Sequence, residues 1–258
     1  FAKLGIERPI VLGHSWGAMV AVALGLRYPQ DVGSLVLVSG YHYPTARADV
    51  ALMSLPAIPV IGDLMTHTIS PLLGRLIWRG LLWKLFSPNQ VTAAFERFPK
   101  WMALRPGQIH ASAAESAMMI PAAARLSRRY RELTVPAVIM AGAGDRQVTP
   151  AHHASRLHRE LADSTLHIVP GVGHMVHHIV PEVVLAAIHE AADAAMRRVG
   201  ASAAFAPAPA PDQATSFSPI KPATISPMQA SRSAVAGSPK RTMPRIAVPT
   251  VPMPVHTA

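Results

Sequence analysis

A serine held between two glycines, in the run Gly13-His14-Ser15-Trp16-Gly17, is the pattern in this chain best suited to covalent chemistry. A serine hydroxyl is a poor nucleophile near neutral pH and needs a base that is itself oriented by a third group. Asp145 and His174 can supply these partners: Asp145 closes the turn Ala141-Gly142-Ala143-Gly144-Asp145, and His174 follows Pro170-Gly171-Val172-Gly173. Each has a structural alternative, Asp145 as the cap of its turn and His174 as a satisfied core histidine. The chain has no cysteine, so a thiolate nucleophile, a disulfide and a thiolate metal site are all excluded. His177 and His178 follow His174 closely, but no carboxylate spacing accompanies them, and no metal is expected. His14 reads as a packing residue of the serine turn rather than as a base.

Three residues so far apart can meet only if the elements before them end at one edge. The apolar set Ile10, Val11 and Leu12, within a strand expected over residues 6–12, runs into the serine turn. Trp16 to Tyr28 is small and apolar all round and stops at Pro29, as a buried helix would. Residues 34–39 (SLVLVS), 135–141 (VPAVIMA) and 165–169 are further strand patterns, with helical patterns at 150–161 and 181–199. Strands alternating with helices argue for a parallel α/β sheet, whose strand ends all point the same way. A serine at a sharp strand-to-helix turn presents its hydroxyl above the sheet, and glycines two residues either side leave room for the turn. The Trp16 N–H faces the same space from the helix N-terminus.

Between Tyr41 and Leu133 the pattern changes. Prolines at 44, 56, 59, 71, 88, 99, 106 and 121 divide this region into expected short helices. Leu72, Leu73, Leu76, Ile77, Leu81 and Leu85 recur at helical spacing, with Arg75, Arg79 and Lys84 mostly on other faces. The expected organisation is a core over residues 1–44 and 133–200, an inserted helical cap over 45–132, and a disordered tail over 201–258. The tail holds 11 prolines and no sustained apolar period, which is too little to offset the entropy of ordering it. Trp78, Trp83 and Trp101 are expected to line the cap or its interior.

The formal net charge of +10 is spread along the chain, with no basic block interleaved with aromatics, so a nucleic-acid partner is not expected. Weak contact with an anionic membrane surface through the cap or the basic tail is a candidate. The lipophilic stretch 55–86 is interrupted by Asp63, His67, Arg75, Arg79 and Lys84 and does not read as a transmembrane helix. Composition sets neither compartment nor oligomeric state, and cytoplasmic is the default.

The order serine, then acid, then histidine, each after a strand, resembles the α/β-hydrolase fold family with a helical cap, over about residues 3–199. The resemblance implies Ser15 as nucleophile, His174 as general base and acid, Asp145 as orienting acid, and the Trp16 N–H as an oxyanion donor, with Gly13, His14 and Gly17 completing the nucleophile elbow. It implies no cofactor. The implied reaction is hydrolysis of an ester, thioester or lactone of an apolar small molecule; a catalytically inactive or ligand-binding relative, a peptidase, a C–C hydrolase and a cofactor-free haloperoxidase are the alternatives. Serine at the nucleophile position speaks against the dehalogenases and epoxide hydrolases of the fold, which use aspartate there. The family's sheet opens with about four strands before the nucleophile, on the order of 80 residues, whereas about a dozen precede Ser15. The resemblance therefore implies N-terminal truncation, loss of a second oxyanion donor, and an uncovered edge at the strand ending at Leu12.

Overall fold

A computed structural model of the chain describes residues 1–45 and 47–204. In chain order the elements are β1 (Ile10–His14), α1 (Trp16–Arg27), β2 (Ser34–Val38), α2 (Ala48–Ser54), α3 (Ile61–His67), α4 (Ile69–Phe86), α5 (Ala93–Glu96), α6 (Lys100–Ala103), α7 (Pro106–Leu126), β3 (Ala137–Gly142), α8 (Ala154–Glu160), β4 (Ser164–Val169), α9 (Val176–Ile179) and α10 (Pro181–Ala204). The four strands form one parallel sheet in the order β1-β2-β3-β4.

The two central strands are buried throughout, which is why they read as unbroken apolar runs. Alternation still sorts their side chains between two faces. Leu35, Leu37, Ile139 and Ala141 pack with Ala18, Ala21 and Val22 of α1 and Leu157 of α8. Val36, Val38, Val138 and Met140 pack on the other face with Val184, Ala187 and Ala191 of α10. Register aligns Gly13 with Leu37 and Val38 with Met140, so the C-terminal ends of β1, β2 and β3 lie side by side. β1 and β4 are the edge strands of this sheet, and Leu12 on β1 is exposed.

Several boundaries differ from expectation. β1 starts at Ile10 rather than Ile6, behind Arg8 at φ 44° and Pro9, and it runs on through Gly13 and His14. β3 starts at Ala137, after Pro136, which has no N–H to give to a ladder. Residues 150–153 form turns before α8. The expectation that prolines cut the helical region into short pieces fails for two long helices. Pro71 lies in the first turn of α4 and Pro106 opens α7, where a backbone N–H has no intrahelical partner to lose. Pro121 sits inside α7, which carries it.

Among the described residues every element between β2 and β3 is helical, and α2 and α3 pack against α7 while α7 reaches α1. Of the α4 stripe, Leu73, Ile77 and Leu81 line a partly open cavity with Trp78, with Leu73 and Ile77 still part-exposed and Leu72 and Leu76 more so. Trp83 and Trp101 are exposed rather than interior, with the Arg105 guanidinium 4.4 Å over the Trp101 ring. Among the described residues no single helix is long and apolar enough to cross a membrane, although a bent pair, 48–57 with 61–67, has the length and composition together. α10 extends to Ala204, so residues 201–204 of the expected tail are helical, and the rest of that expectation lies outside the described residues.

Candidate active site

Ser15 is the N-cap of α1 and adopts φ 53° and ψ −117°, a backbone region that costs a non-glycine residue roughly 1–3 kcal/mol. The surrounding turn holds it there. The Ser15 N–H donates to Val38 O at 2.9 Å, and Ser15 O accepts from the N–H groups of Ala18 at 3.2 Å and Tyr41 at 3.4 Å. Gly13 is required by this turn, because a Cβ there would run into the backbone of Gly17 and Ala18. Gly17 differs from expectation: a Cβ on it would meet nothing, and its part in the turn is the close approach of its carbonyl to Gly13. Trp16 is the first residue of α1, so its N–H has no intrahelical acceptor and lies at the positive end of the helix.

Asp145 and His174 meet in the interior, each only 4% exposed. His174 Nδ1 lies 2.7 Å from Asp145 Oδ2. Asp145 Oδ1 accepts from the N–H groups of Gln147 at 2.8 Å and Val148 at 2.9 Å. With the carboxylate as acceptor on every side, Nδ1 carries the histidine's hydrogen and Nε2 is the nitrogen left to take a proton. Ser15 and His174 both line an open cavity of about 570 Å³, which Leu76, Ile77 and Leu81 of α4 border.

The loop carrying His174 is fixed by contacts that side-chain periodicity does not announce. A Cβ on Gly142, at the end of β3, would strike the carbonyls of Val172 and Gly173, and one on Gly173 would strike the carbonyl of Ser87 just beyond α4. Three backbone segments therefore lie directly on one another, and Gly144 N donates to Val172 O at 2.8 Å. Asn89 holds the same loop from outside: its Nδ2 donates to Gly171 O at 3.0 Å, and its Oδ1 accepts from Gly173 N at 3.3 Å.

His14 makes a second tie. Its Nε2 lies 3.0 Å from His174 O, and its ring sits 4.8 Å from that of His174 and 4.3 Å from that of His177. Burial, and then the neighbouring His174, push the His14 pKa down to about 3, so the ring is neutral and donates Nε2–H to the carbonyl. Burial first and then His178 likewise push His177 down to about 4. His178 packs against Phe86 and Phe95.

At the cavity mouth Arg47, just before α2, donates from Nη1 to Gln147 O at 2.5 Å and from Nη2 to Gln147 Oε1 at 2.9 Å. Its guanidinium also pairs with Asp49, which Lys84 of α4 reaches at 3.1 Å. The Arg47 hydrogen bond holds the Asp49 carboxylate well below the usual range, with Lys84 adding to it. Sequence reasoning missed Asn89, Arg47 and Gln147. Gln147 alone carried a signal, its place two residues after the acid.

The chain matches the profile of the alpha/beta hydrolase family over residues 1–188. It is similar to the 2-(acetamidomethylene)succinate hydrolase of Mesorhizobium japonicum, at 29% identity over 196 residues, covering 72% of this chain and 64% of that protein. It is also similar to the 1-acylglycerol-3-phosphate O-acyltransferase ABHD5 of Homo sapiens, at 42% identity over 57 residues, covering 22% of this chain and 16% of that protein. The chain thus spans less than two thirds of the length of these curated relatives. Among solved structures, an alpha/beta hydrolase fold protein from Burkholderia ambifaria is similar with a TM-score of 0.60 at 19% identity, over 72% of this chain and 67% of that one. With the parallel sheet, the strained serine turn and a profile match over most of its length, the chain belongs to the alpha/beta hydrolase family.

Proposed function

We propose that the protein is a serine hydrolase that cleaves an ester, thioester or lactone of a largely apolar small molecule through an acyl-enzyme. The observation that carries this reading is the buried 2.7 Å contact between His174 Nδ1 and Asp145, on a cavity that the strained Ser15 also lines. In the first step Nε2 of His174 takes the Ser15 proton as Oγ bonds to the carbonyl carbon. Charge then developing on the carbonyl oxygen meets the Trp16 N–H. The protonated His174, stabilised by Asp145, returns the proton to the leaving group as the carbon–oxygen or carbon–sulfur bond breaks. Water, deprotonated by the same nitrogen, attacks the acyl carbonyl and releases the acid while Ser15 recovers its proton.

Relatives support a hydrolase: one is named a hydrolase of 2-(acetamidomethylene)succinate, and a thermophilic esterase from Thermogutta terrifontis shares the fold with a TM-score of 0.51. The test is covalent labelling of the full chain by a fluorophosphonate, read by intact mass. One adduct per chain on wild type and none on Ser15→Ala is expected. Equal labelling of both would remove Ser15 as the nucleophile.

A further inference from the structure

The cavity at Ser15 does not end there. On one side it shares Met53, Ile77, Leu81 and Ser116 with a second cavity of about 350 Å³ between α2, α3, α4 and α7. Among the described residues that chamber has no charged lining residue; Ser70, Ser112, Ser116 and the Trp78 indole supply its polar groups, and it opens to solvent past Leu52 and Leu73. On the other side the Ser15 cavity shares Arg47, Asp49, Lys84 and Gln147 with a cleft of about 450 Å³ that adds Arg146. Three cations and one carboxylate line this cleft, which leaves it cationic. Asp49 is held ionised by Arg47 and Lys84 and spends the Arg47 guanidinium, but Lys84 is half-exposed, with N–H groups beyond the one aimed at Asp49. The reacting carbonyl therefore sits between an apolar chamber and a cationic cleft.

We infer that the substrate is amphiphilic, with an alkyl chain on one side of its carbonyl and an anionic group, carboxylate or phosphate, on the other. The chain occupies the chamber between α4 and α7, and the anion faces Lys84 and Arg146. This inference rests on the serine hydrolase reading for the reaction but not for the binding. An apolar chain gains by leaving water, whereas a charge gains only where cations face it, so the two ends fix the orientation of the carbonyl at Ser15. The substrate is thus narrower in kind than a generally apolar ester.

Hydrolysis by the full chain is to be compared on octanoyl glycolate and mono-octyl succinate, which place the anion on opposite sides of the carbonyl, against ethyl octanoate and octyl butyrate. At least one anionic ester should exceed its neutral counterpart in kcat/KM by roughly five- to tenfold, the factor expected of one or two charge-assisted contacts at a half-exposed site. That ratio should fall towards one in the double variant Lys84→Met/Arg146→Met and in high salt, and survive in Lys84→Arg/Arg146→Lys. Ser116→Trp, which narrows the passage, should shrink the preference for octanoyl over acetyl glycolate. Binding is read separately by calorimetry on Ser15→Ala with decyl phosphate, decanoate and decanol; the first two distinguish the kind of anion. If no Ser15-dependent hydrolysis exists but either anion binds better than decanol, with the same dependence on Lys84, Arg146 and Ser116, the binding inference stands and the serine hydrolase reading falls. Ser15-dependent hydrolysis with no preference for an anionic ester overturns the inference alone. Binding that ignores the charge variants or the Ser116→Trp plug overturns it as well.

Discussion

Replacing His14 by alanine tests whether the Ser15 turn and the His174 loop work as one unit. The neutral His14 ring donates Nε2–H to His174 O at 3.0 Å, so alanine removes one hydrogen bond and leaves that carbonyl without its donor. At a partly buried position this costs about 1–3 kcal/mol. If all of it falls on the alignment of His174, kcat drops by roughly 5- to 150-fold. KM should change little, because His14 is not among the residues lining the Ser15 cavity. His14→Gln keeps an N–H donor of similar reach and should recover part of the loss, which a mere packing defect would not. The assay is steady-state hydrolysis of a p-nitrophenyl ester, with urea denaturation of each variant to correct for the folded fraction. Wild-type kcat in a fully folded His14→Ala protein would refute the claim that this bond positions His174. A His14→Gln variant as slow as alanine would show that the ring contacts, not the donor, hold the loop.

Gly13→Ala places a Cβ against the backbone of Gly17 and Ala18, which cannot move aside as a side chain would, so it should unfold or severely destabilise the protein; Gly17→Ala, facing open space, should lower the melting temperature by a few degrees at most. Acid should destabilise the fold through its buried neutral histidines. His42 is fully buried and pushed down to about 3 by burial and by His153, and His153 is itself pushed down to about 4, chiefly by burial. Both lie below the ordinary histidine value of about 6.5, so the unfolded chain binds the extra protons. Their stabilisation is complete above about pH 6.5 and is lost as pH falls towards 3–4, by on the order of a few kcal/mol for His42. Urea midpoints measured from pH 7.5 to 4.5 should therefore fall with pH, and His42→Leu should flatten the slope; an unchanged slope would rule out His42 as its source.

Much of the frame was legible in the sequence for a physical reason. β2 and β3 are buried on both faces, so each had to be an uninterrupted apolar run, and Asp145 stands a short turn beyond β3; Ser15 and His174 follow the edge strands β1 and β4, whose shorter apolar patterns were still readable. A parallel sheet then brings the ends of β1 and β3 to one edge without further information. What was not legible depends on contacts between segments distant in the chain. Nothing near Asn89 in sequence says that it holds Gly171 and Gly173, and nothing near Ser87 says that its carbonyl lies against Gly173. Arg47 reads as an ordinary surface cation until α2 and the loop after β3 are placed side by side. Two prolines misled because a first turn tolerates proline and Pro71 and Pro106 occupy first turns, whereas Pro121 lies in the interior of α7, which continues through it.

The pairing of β2 with β3 also places a large chain-entropy cost on closing the sheet. Leu35 pairs with Ala137, about 100 residues further along the chain, whereas β1 and β2 are joined by one helix and pair over about 24. Closing a flexible loop of that length costs about 4 kcal/mol in the logarithmic term of chain entropy before any contact repays it. α2 to α7 lie inside the loop, and helices form from local contacts, so their prior formation shortens the span that must be searched. Ser15 and β1 can be in place while Asp145, His174 and everything beyond residue 133 remain a separate piece of chain. A nascent or refolding molecule can thus form the Ser15 turn before Asp145 and His174 are brought to it, and the site is completed only when the sheet closes at β3, as a property of the whole topology rather than of the serine turn.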